Sequence, residues 1–181
     1  MIEKLIPITS SLLLLSSPVL AESKLNQPYT GQEKRSVSSL SAADLHALRN
    51  GQGWGLAKPA ELNGYPGPIH VLELADRLKL SKVQVSRLRE IYREMNDSAR
   101  RIGMAFVQSE VELDALFKTR AVTPDALKRA LAKTSQLRAN LRAAHLNAHI
   151  KTVPLLTVHQ RHLYMRLRGY SNKGSHSGHA H

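Results

Sequence analysis

The histidines are the residues of this chain whose chemistry and spacing most clearly indicate a chemical role. His145 and His149 are four positions apart, and His159 and His162 are three apart, so each pair would share one helix face. Only a short break ending at Pro154 separates the pairs, so they could approach each other. Imidazoles so placed suit Zn²⁺, Cu²⁺ or Ni²⁺. The alternative, which is the commoner role, is ordinary packing or surface exposure.

Three further histidines lie in a Gly/Ser-rich tail over residues 171–181, which we predict to be flexible. They are His176, His179 and His181. A flexible tract can arrange itself around an ion, but without ordered supporting partners it binds weakly and unselectively. We therefore expect no required cofactor, with Zn, Cu or Ni bound weakly at most.

The sequence contains no activated-serine motif and no P-loop, and nothing in it favours a Ser-His-Asp arrangement, although spacing alone does not exclude one. The chain contains no cysteine, which excludes disulfides, zinc–thiolate sites and thiol catalysis. Leu146 stands between the two histidines where a zinc protease would need a glutamate. The carboxylates Glu90, Glu94 and Asp97 lie among arginines and favour helix-surface ion pairs. We do not expect an enzyme.

Basic residues are the second candidate group, because the 181 residues carry 26 Lys+Arg against 14 Asp+Glu. Residues 118–181 hold 12 of these cations and one acid, so the positive field belongs to the C-terminal third. Two predicted helices carry a set of cations interspersed with apolar residues, which could attract acidic segments and then hold apolar ones. The set is Arg87, Arg89, Arg93, Arg100, Arg101, Lys128, Arg129, Lys133, Arg138 and Arg142. The alternative is that these cations form the solvated face of an amphipathic helix and bind no partner.

The N-terminus is typical of a secretory signal. Residues 1–21 combine a short basic start, an apolar stretch from Leu5 to Leu20 and a small residue, Ala21, before the expected cleavage site. Serines and prolines interrupt the apolar stretch, which disfavours a retained membrane anchor. In a bacterium the mature chain would be periplasmic, and export disfavours a nucleic-acid partner. The polar residues 22–38 are predicted to be a disordered lead-in.

The elements that must position these residues are helices. Apolar residues step by three or four from Leu88 to Leu116, which predicts one helix from Ser81 to Lys118, about 57 Å long. Thr123 and Pro124 are typical of the start of a second long helix, which Pro154 ends. Shorter helices are predicted after Ser41, from Pro68 through Leu78, and from Thr157 to Gly169. No period-2 run is present, so residues 39–170 predict an all-α domain.

Two long helices joined by a short turn would form a helical hairpin that buries only one face well. Because only 4% of the residues are aromatic, a thick core is not available. We therefore expect self-association into an elongated or curved dimer.

Two of the helix starts share the pattern Leu-Ser/Thr-x-x-Gln. The first copy has Leu80, Ser81 and Gln84, and the second has Leu156, Thr157 and Gln160. Each is a predicted capping box, in which the hydroxyl caps a backbone N–H and the glutamine reaches back to the N–H of the capping residue.

The duplicated pattern resembles the LTxxQ motif of the Spy/CpxP family of periplasmic chaperones and metal-resistance proteins. The stretches Gly55–Pro68, His145–His149 and Leu167–Tyr170 are similar to a subgroup of that family, and the likeness spans roughly Ser41 to Tyr170. It departs from the motif at Ser81, which replaces threonine and keeps the capping chemistry. The resemblance implies a four-helix protomer that forms a cradle-shaped antiparallel homodimer.

The same resemblance implies an ATP-independent chaperone of envelope stress that holds unfolded or misfolded periplasmic proteins on a basic, partly apolar surface. The alternative is a periplasmic heavy-metal sensor or scavenger that uses the histidines. A third possibility within the family is a modulator that docks on the periplasmic domain of a sensor kinase.

Overall fold

The computed structural model describes residues 27–170 of the 181-residue chain. The predicted signal segment, the start of the lead-in and the tail with His176, His179 and His181 lie outside the described residues. The chain divides after Thr30. Residues 27–30 form a turn, closed by a 3.0 Å hydrogen bond from the Thr30 N–H to the Gln27 carbonyl. The unit that begins at Gly31 carries every element described below.

Six α-helices and two 3₁₀ turns make up this unit, and residues 31–170 contain no strand, which confirms the all-α class for the described part of the chain. The helices are α1 Ala42–Arg49, α2 Lys58–Glu61, α3 Pro68–Glu73, α4 Lys82–Lys118, α5 Pro124–Thr152 and α6 Val158–Leu167. The 3₁₀ turns are Gln32–Lys34 and Val153–Leu155.

The helix starts agree with the local sequence chemistry. Ser41, Ser81 and Thr157 each cap a helix in a complete capping box, and Thr123 caps α5 with Pro124 in its first turn. Side-chain oxygens satisfy backbone N–H groups that the first helical turn leaves without a partner.

One helix is shorter than the sequence predicts. The helix expected from Pro68 through Leu78 ends at Glu73. Successive turn hydrogen bonds carry the chain from Leu74 to Leu80, and Lys79 takes a left-handed conformation with φ +50°. The chain turns here before α4 begins at Lys82, and an apolar period cannot reveal such a turn.

The two long helices pack against each other along much of their length. The Thr134 hydroxyl donates to the Ser109 hydroxyl at 3.2 Å, and the Lys133 ammonium lies 2.5 Å from Glu112. Further along, Lys151 lies 3.2 Å from Glu94. Residue numbers fall along α5 as they rise along α4, so the helices run in opposite directions across these contacts.

A first core cluster lies between α1, α4 and α5. Leu48, Phe106 and Leu141 are each 2% exposed at its centre. A Cβ on Gly103 would lie 2.8 Å from the Leu48 carbonyl oxygen, so only glycine permits this approach of α1 to α4. Val37, within the predicted lead-in, is also 2% exposed in this cluster, so ordered packing begins before Ser39.

A second core cluster joins α3 and α6 to the N-terminal part of α4. Val71, Leu88 and Tyr164 have no exposed surface, and Leu78 and Leu156 are nearly as buried. Leu80 packs against the same cluster. Both leucines of the repeated motif therefore point into one core, which brings the two capping boxes together. Among the helices described, none combines the length and apolar character that crossing a membrane requires.

Candidate functional site

The two capping boxes have the geometry that the sequence predicts. In the first, the Ser81 N–H donates to Gln84 Oε1 at 2.8 Å, and the Gln84 N–H donates to Ser81 Oγ at 3.2 Å. In the second, Thr157 and Gln160 repeat these bonds at 2.9 and 3.2 Å. In each motif the side-chain oxygen of the glutamine accepts from the N–H of the capping residue, and the side-chain nitrogen remains available to another partner.

The free amide groups join the two motifs. Gln84 Nε2 donates to Gln160 Oε1 at 2.9 Å and to the Leu155 carbonyl at 2.7 Å. Reciprocally, Gln160 Nε2 donates to Gln84 Oε1 at 3.3 Å and to the Leu78 carbonyl at 3.2 Å. The repeated motif is therefore one junction, in which each helix start satisfies a carbonyl of the chain that precedes the other.

A buried polar centre lies between the segment 55–68 and α6. The Tyr164 hydroxyl donates to one oxygen of Glu61, and the Gly67 N–H donates to the other at 3.2 Å. Arg168 Nε lies 3.5 Å from Glu61 Oε1 and has no hydrogen bond of its own. Burial, reinforced by the hydrogen bond to Glu61, raises the pKa of the Tyr164 hydroxyl far above its usual range, so it stays a donor.

Sequence reasoning missed Glu61 and Tyr164 as a pair. They are 103 positions apart, and Glu61 lies in a segment without helical periodicity. The only signal was the resemblance, which included the stretches that contain Glu61 and Arg168. The structure shows that this segment packs on the helices, because Leu56 belongs to the first core cluster. Trp54, directly before the segment, contacts Phe106 with ring centroids 5.8 Å apart.

The helical histidines fall into two different environments. His145 and His149 are 2% and 7% exposed, whereas His159 and His162 are exposed. His149 Nδ1 lies 2.7 Å from the Tyr65 carbonyl oxygen, which can only accept, so Nδ1 carries the proton. The other edge of this ring lies against Gly67, where a Cβ would be 3.1 Å from Nε2.

The structure does not bring the four helical histidines together into one group. Within residues 27–170, no three His, Asp or Glu side chains converge in a way that could hold a metal ion. The pairs His145/His149 and His159/His162 therefore supply no common ligand set. His145 and His149 instead have the alternative role of packing residues, because both are buried and His149 attaches the segment 55–68 to α5.

Burial of His145 makes stability depend on pH. Desolvation of the ring lowers the pKa of His145 below its usual 6.5, and the neighbouring His149 lowers it further. Above about pH 6.5 the His145 ring is neutral in both the folded and the unfolded protein. Below that pH, the unfolded chain takes up a proton at His145 that the folded chain resists. We expect the free energy of unfolding to fall as the pH drops from about 6.5 toward the depressed pKa.

Chemical denaturation at a series of pH values measures this effect. His145→Leu, which keeps an apolar side chain of similar size, should flatten the decline in this interval. His159→Leu removes an exposed histidine and should leave the decline as in the parent protein. An identical decline in all three proteins would contradict the role given to His145.

All ten predicted cations are exposed on α4 and α5. Four of them have a partner. Arg87 pairs with Glu90 at 2.7 Å, Lys133 pairs with Glu112, Arg100 Nε donates to the Arg49 carbonyl at 3.3 Å, and the Arg138 guanidinium lies 5.4 Å from the centre of the Trp54 ring. The other six have no hydrogen bond or ion pair within residues 27–170: Arg89, Arg93, Arg101, Lys128, Arg129 and Arg142.

A cleft of about 550 Å³ opens between the segment 50–70, α4 and the C-terminal end of α6. Tyr92 and Met95 form part of its wall, and Arg168 and Lys58 lie at its edge. His145 also lines it, but its Nε2 is shielded and has no partner. We find no nucleophile paired with a base among the lining residues.

The structure thus combines a helical frame, a buried polar centre that attaches the segment 55–68 to this frame, and exposed cations that have no partner within residues 27–170. No family model, no curated protein and no solved structure matches this chain. What the protein does must therefore be argued from these residues and from the motif resemblance.

Proposed function

We propose that this protein is an ATP-independent chaperone of the Spy/CpxP type, exported to the periplasm and active in envelope stress. It would hold unfolded or misfolded proteins on its basic, partly apolar surface, without catalysis. The observation that carries this proposal is the exposure of all ten cations, six of which have no hydrogen-bond or ion-pair partner among residues 27–170. Guanidinium and ammonium groups left unpaired remain free to bind an acidic segment of another chain.

Apolar side chains exposed near the cations support the same reading. Met104 is 45% exposed close in sequence to Arg100 and Arg101, and Leu131 is 46% exposed one turn beyond Lys128. An unfolded chain offers both acidic and apolar groups, so attraction at long range can be followed by burial at contact.

We further propose that the protomer pairs as an antiparallel, cradle-shaped homodimer built on the α4–α5 hairpin. Phe117 and Val122 are exposed at the turn between the two helices, where a second copy could cover them. Sedimentation at micromolar concentration should give the mass of a dimer, and a monomer mass would contradict it.

An aggregation assay tests the chaperone proposal. Protein without its signal segment, in chelator and without ATP, should suppress the aggregation of an unfolding client. Suppression should weaken as salt rises, because ions screen exposed charges beyond about 10 Å at 0.1 M. No suppression at excess protein would contradict the proposal.

Matched triple variants locate the effect. Lys128→Gln, Arg129→Gln and Arg142→Gln together remove three unpaired cations, and we expect about twofold or more protein to be needed for half-suppression. Arg87→Gln, Lys133→Gln and Arg138→Gln remove the same charge from cations that already have partners, so the change should be smaller. Equal effects would mean that net charge alone matters, whereas no effect would contradict a basic client surface.

A further inference from the structure

One row of cations on α4 faces away from the rest of the long-helix pair. At 3.6 residues per turn, Lys82, Arg89, Arg93 and Arg100 lie within about 40° of one another around the helix axis. Ser109, which contacts α5, lies about opposite to them on the same helix. The row spans about 27 Å at 1.5 Å per residue.

Two neighbours widen this row into a band. Arg49, at the end of α1, lies beside Arg100 and Arg101 around a shallow depression that also includes Met104. We define the outer basic band as Lys82, Arg89, Arg93, Arg100, Arg101 and Arg49. Asp97 is the one acid that borders this depression, and it forms no ion pair within residues 27–170. No cation of the band forms an ion pair within residues 27–170.

The shape of the band limits what could bind it. A second depression lies among Lys82, Arg89 and Arg93 and is also lined by Val85 and Tyr92. Every residue that lines it belongs to α4 or to the two residues before it. No second element supplies an opposing wall. Peptides are usually held in a groove between elements or along a sheet edge. The row Lys82, Arg89, Arg93 and Arg100 instead forms a ridge along one face of α4, which fits a flat anionic surface that all four can touch at once.

From this geometry we infer that the outer basic band docks the protein on a bilayer that carries phosphate headgroups with net negative charge. This assignment leaves Arg87 and the cations of α5 as the surface for the clients of the proposed function. The cations of the band would lie at the headgroups, and the exposed Met104, on nearly the same side of α4, would contact the lipid boundary. The attachment is peripheral and reversible, since it depends on electrostatic attraction rather than on a buried apolar helix face.

Vesicle co-sedimentation of the full chain without its signal segment tests the inference. We expect binding to vesicles of equal parts phosphatidylglycerol and phosphatidylcholine, and none to phosphatidylcholine alone. Arg89→Gln with Arg93→Gln should reduce the partition constant roughly thirtyfold, because each basic residue near an anionic surface contributes about a factor of five. The matched control, Lys128→Gln with Arg129→Gln, removes the same charge from α5 and should change it much less.

Three results would overturn the inference. They are no binding to the anionic vesicles, equal losses in the two double variants, and binding of a poly-glutamate peptide to the band while vesicles fail to bind. The last would assign the band to acidic polypeptides. Circular dichroism of the variants shows whether the helices are intact. The assay contains no client protein, so its outcome is independent of the chaperone proposal.

Discussion

Glu61→Ala is expected to lower the free energy of unfolding by about 3–5 kcal/mol, the range for removing one partner of a buried charged pair. The Glu61 carboxylate accepts from the Tyr164 hydroxyl and the Gly67 N–H, and it faces Arg168 Nε at 3.5 Å. Alanine would leave both donors without an acceptor and Arg168 without its counter-charge. A cavity beside the fully buried Tyr164 would add to the loss.

Two conservative variants separate these contributions. Tyr164→Phe removes one hydroxyl and leaves Glu61 its bond to Gly67, so we expect a loss of about 1–2 kcal/mol. Glu61→Gln keeps one side-chain oxygen, which can accept from only one of the two donors, and removes the charge opposite Arg168, so its stability should lie between those of the parent and Glu61→Ala. The matched control is Glu33→Ala, at an exposed position, which should change stability by less than about 0.5 kcal/mol.

Denaturation midpoints at one fixed protein concentration give the comparison, since self-association makes apparent stability depend on concentration. A loss in Glu61→Ala no larger than that in Glu33→Ala would show that the polar centre does not stabilise the fold. A change in the dependence on denaturant, rather than in the midpoint, would instead point to an altered unfolded state.

Helix starts are the part of this fold that the sequence predicted best. Ser41, Ser81, Thr123 and Thr157 all cap helices, because a cap depends on a hydroxyl and a backbone N–H only three positions away. Contacts between distant residues carry no such local signal. The bridge between Gln84 and Gln160 spans 76 positions, and repetition of a motif does not reveal that its two copies touch.

The spacing of the histidines also could not distinguish metal ligands from residues that pack in the core. Histidines four positions apart share a helix face whether that face binds an ion or packs in a core, and the structure buries His145 and His149. Leu131 shows the converse, since it lies four positions after Leu127 on α5, the spacing of one apolar helix face, yet is 46% exposed. Helical period defines a face, but only the neighbouring elements determine whether that face is covered.

The junction of the two motifs carries the second large effect. Gln160→Ala would remove the acceptor for the Thr157 N–H and the donor to the Leu78 carbonyl, as well as the contact with Gln84. At about 1 kcal/mol per hydrogen bond, we expect a loss of about 2–3 kcal/mol, and a similar loss for Gln84→Ala. Gln136→Ala, which breaks only an exposed bond to Asn140 on α5, should cost less than about 0.5 kcal/mol.

A double-mutant cycle and a charge-bearing variant test whether the bridge itself matters. If the glutamines stabilise one shared junction, the loss of stability in the double variant should differ from the sum of the losses in Gln84→Ala and Gln160→Ala by about 0.5–3 kcal/mol. Gln160→Glu keeps the oxygen that completes the capping box, and its charge suits a helix N-terminus. It cannot donate to Leu78 or Gln84, however, and would place a carboxylate against their oxygens. We therefore expect Gln160→Glu to be destabilised despite an intact cap, and parental stability would mean that the motif acts only by capping.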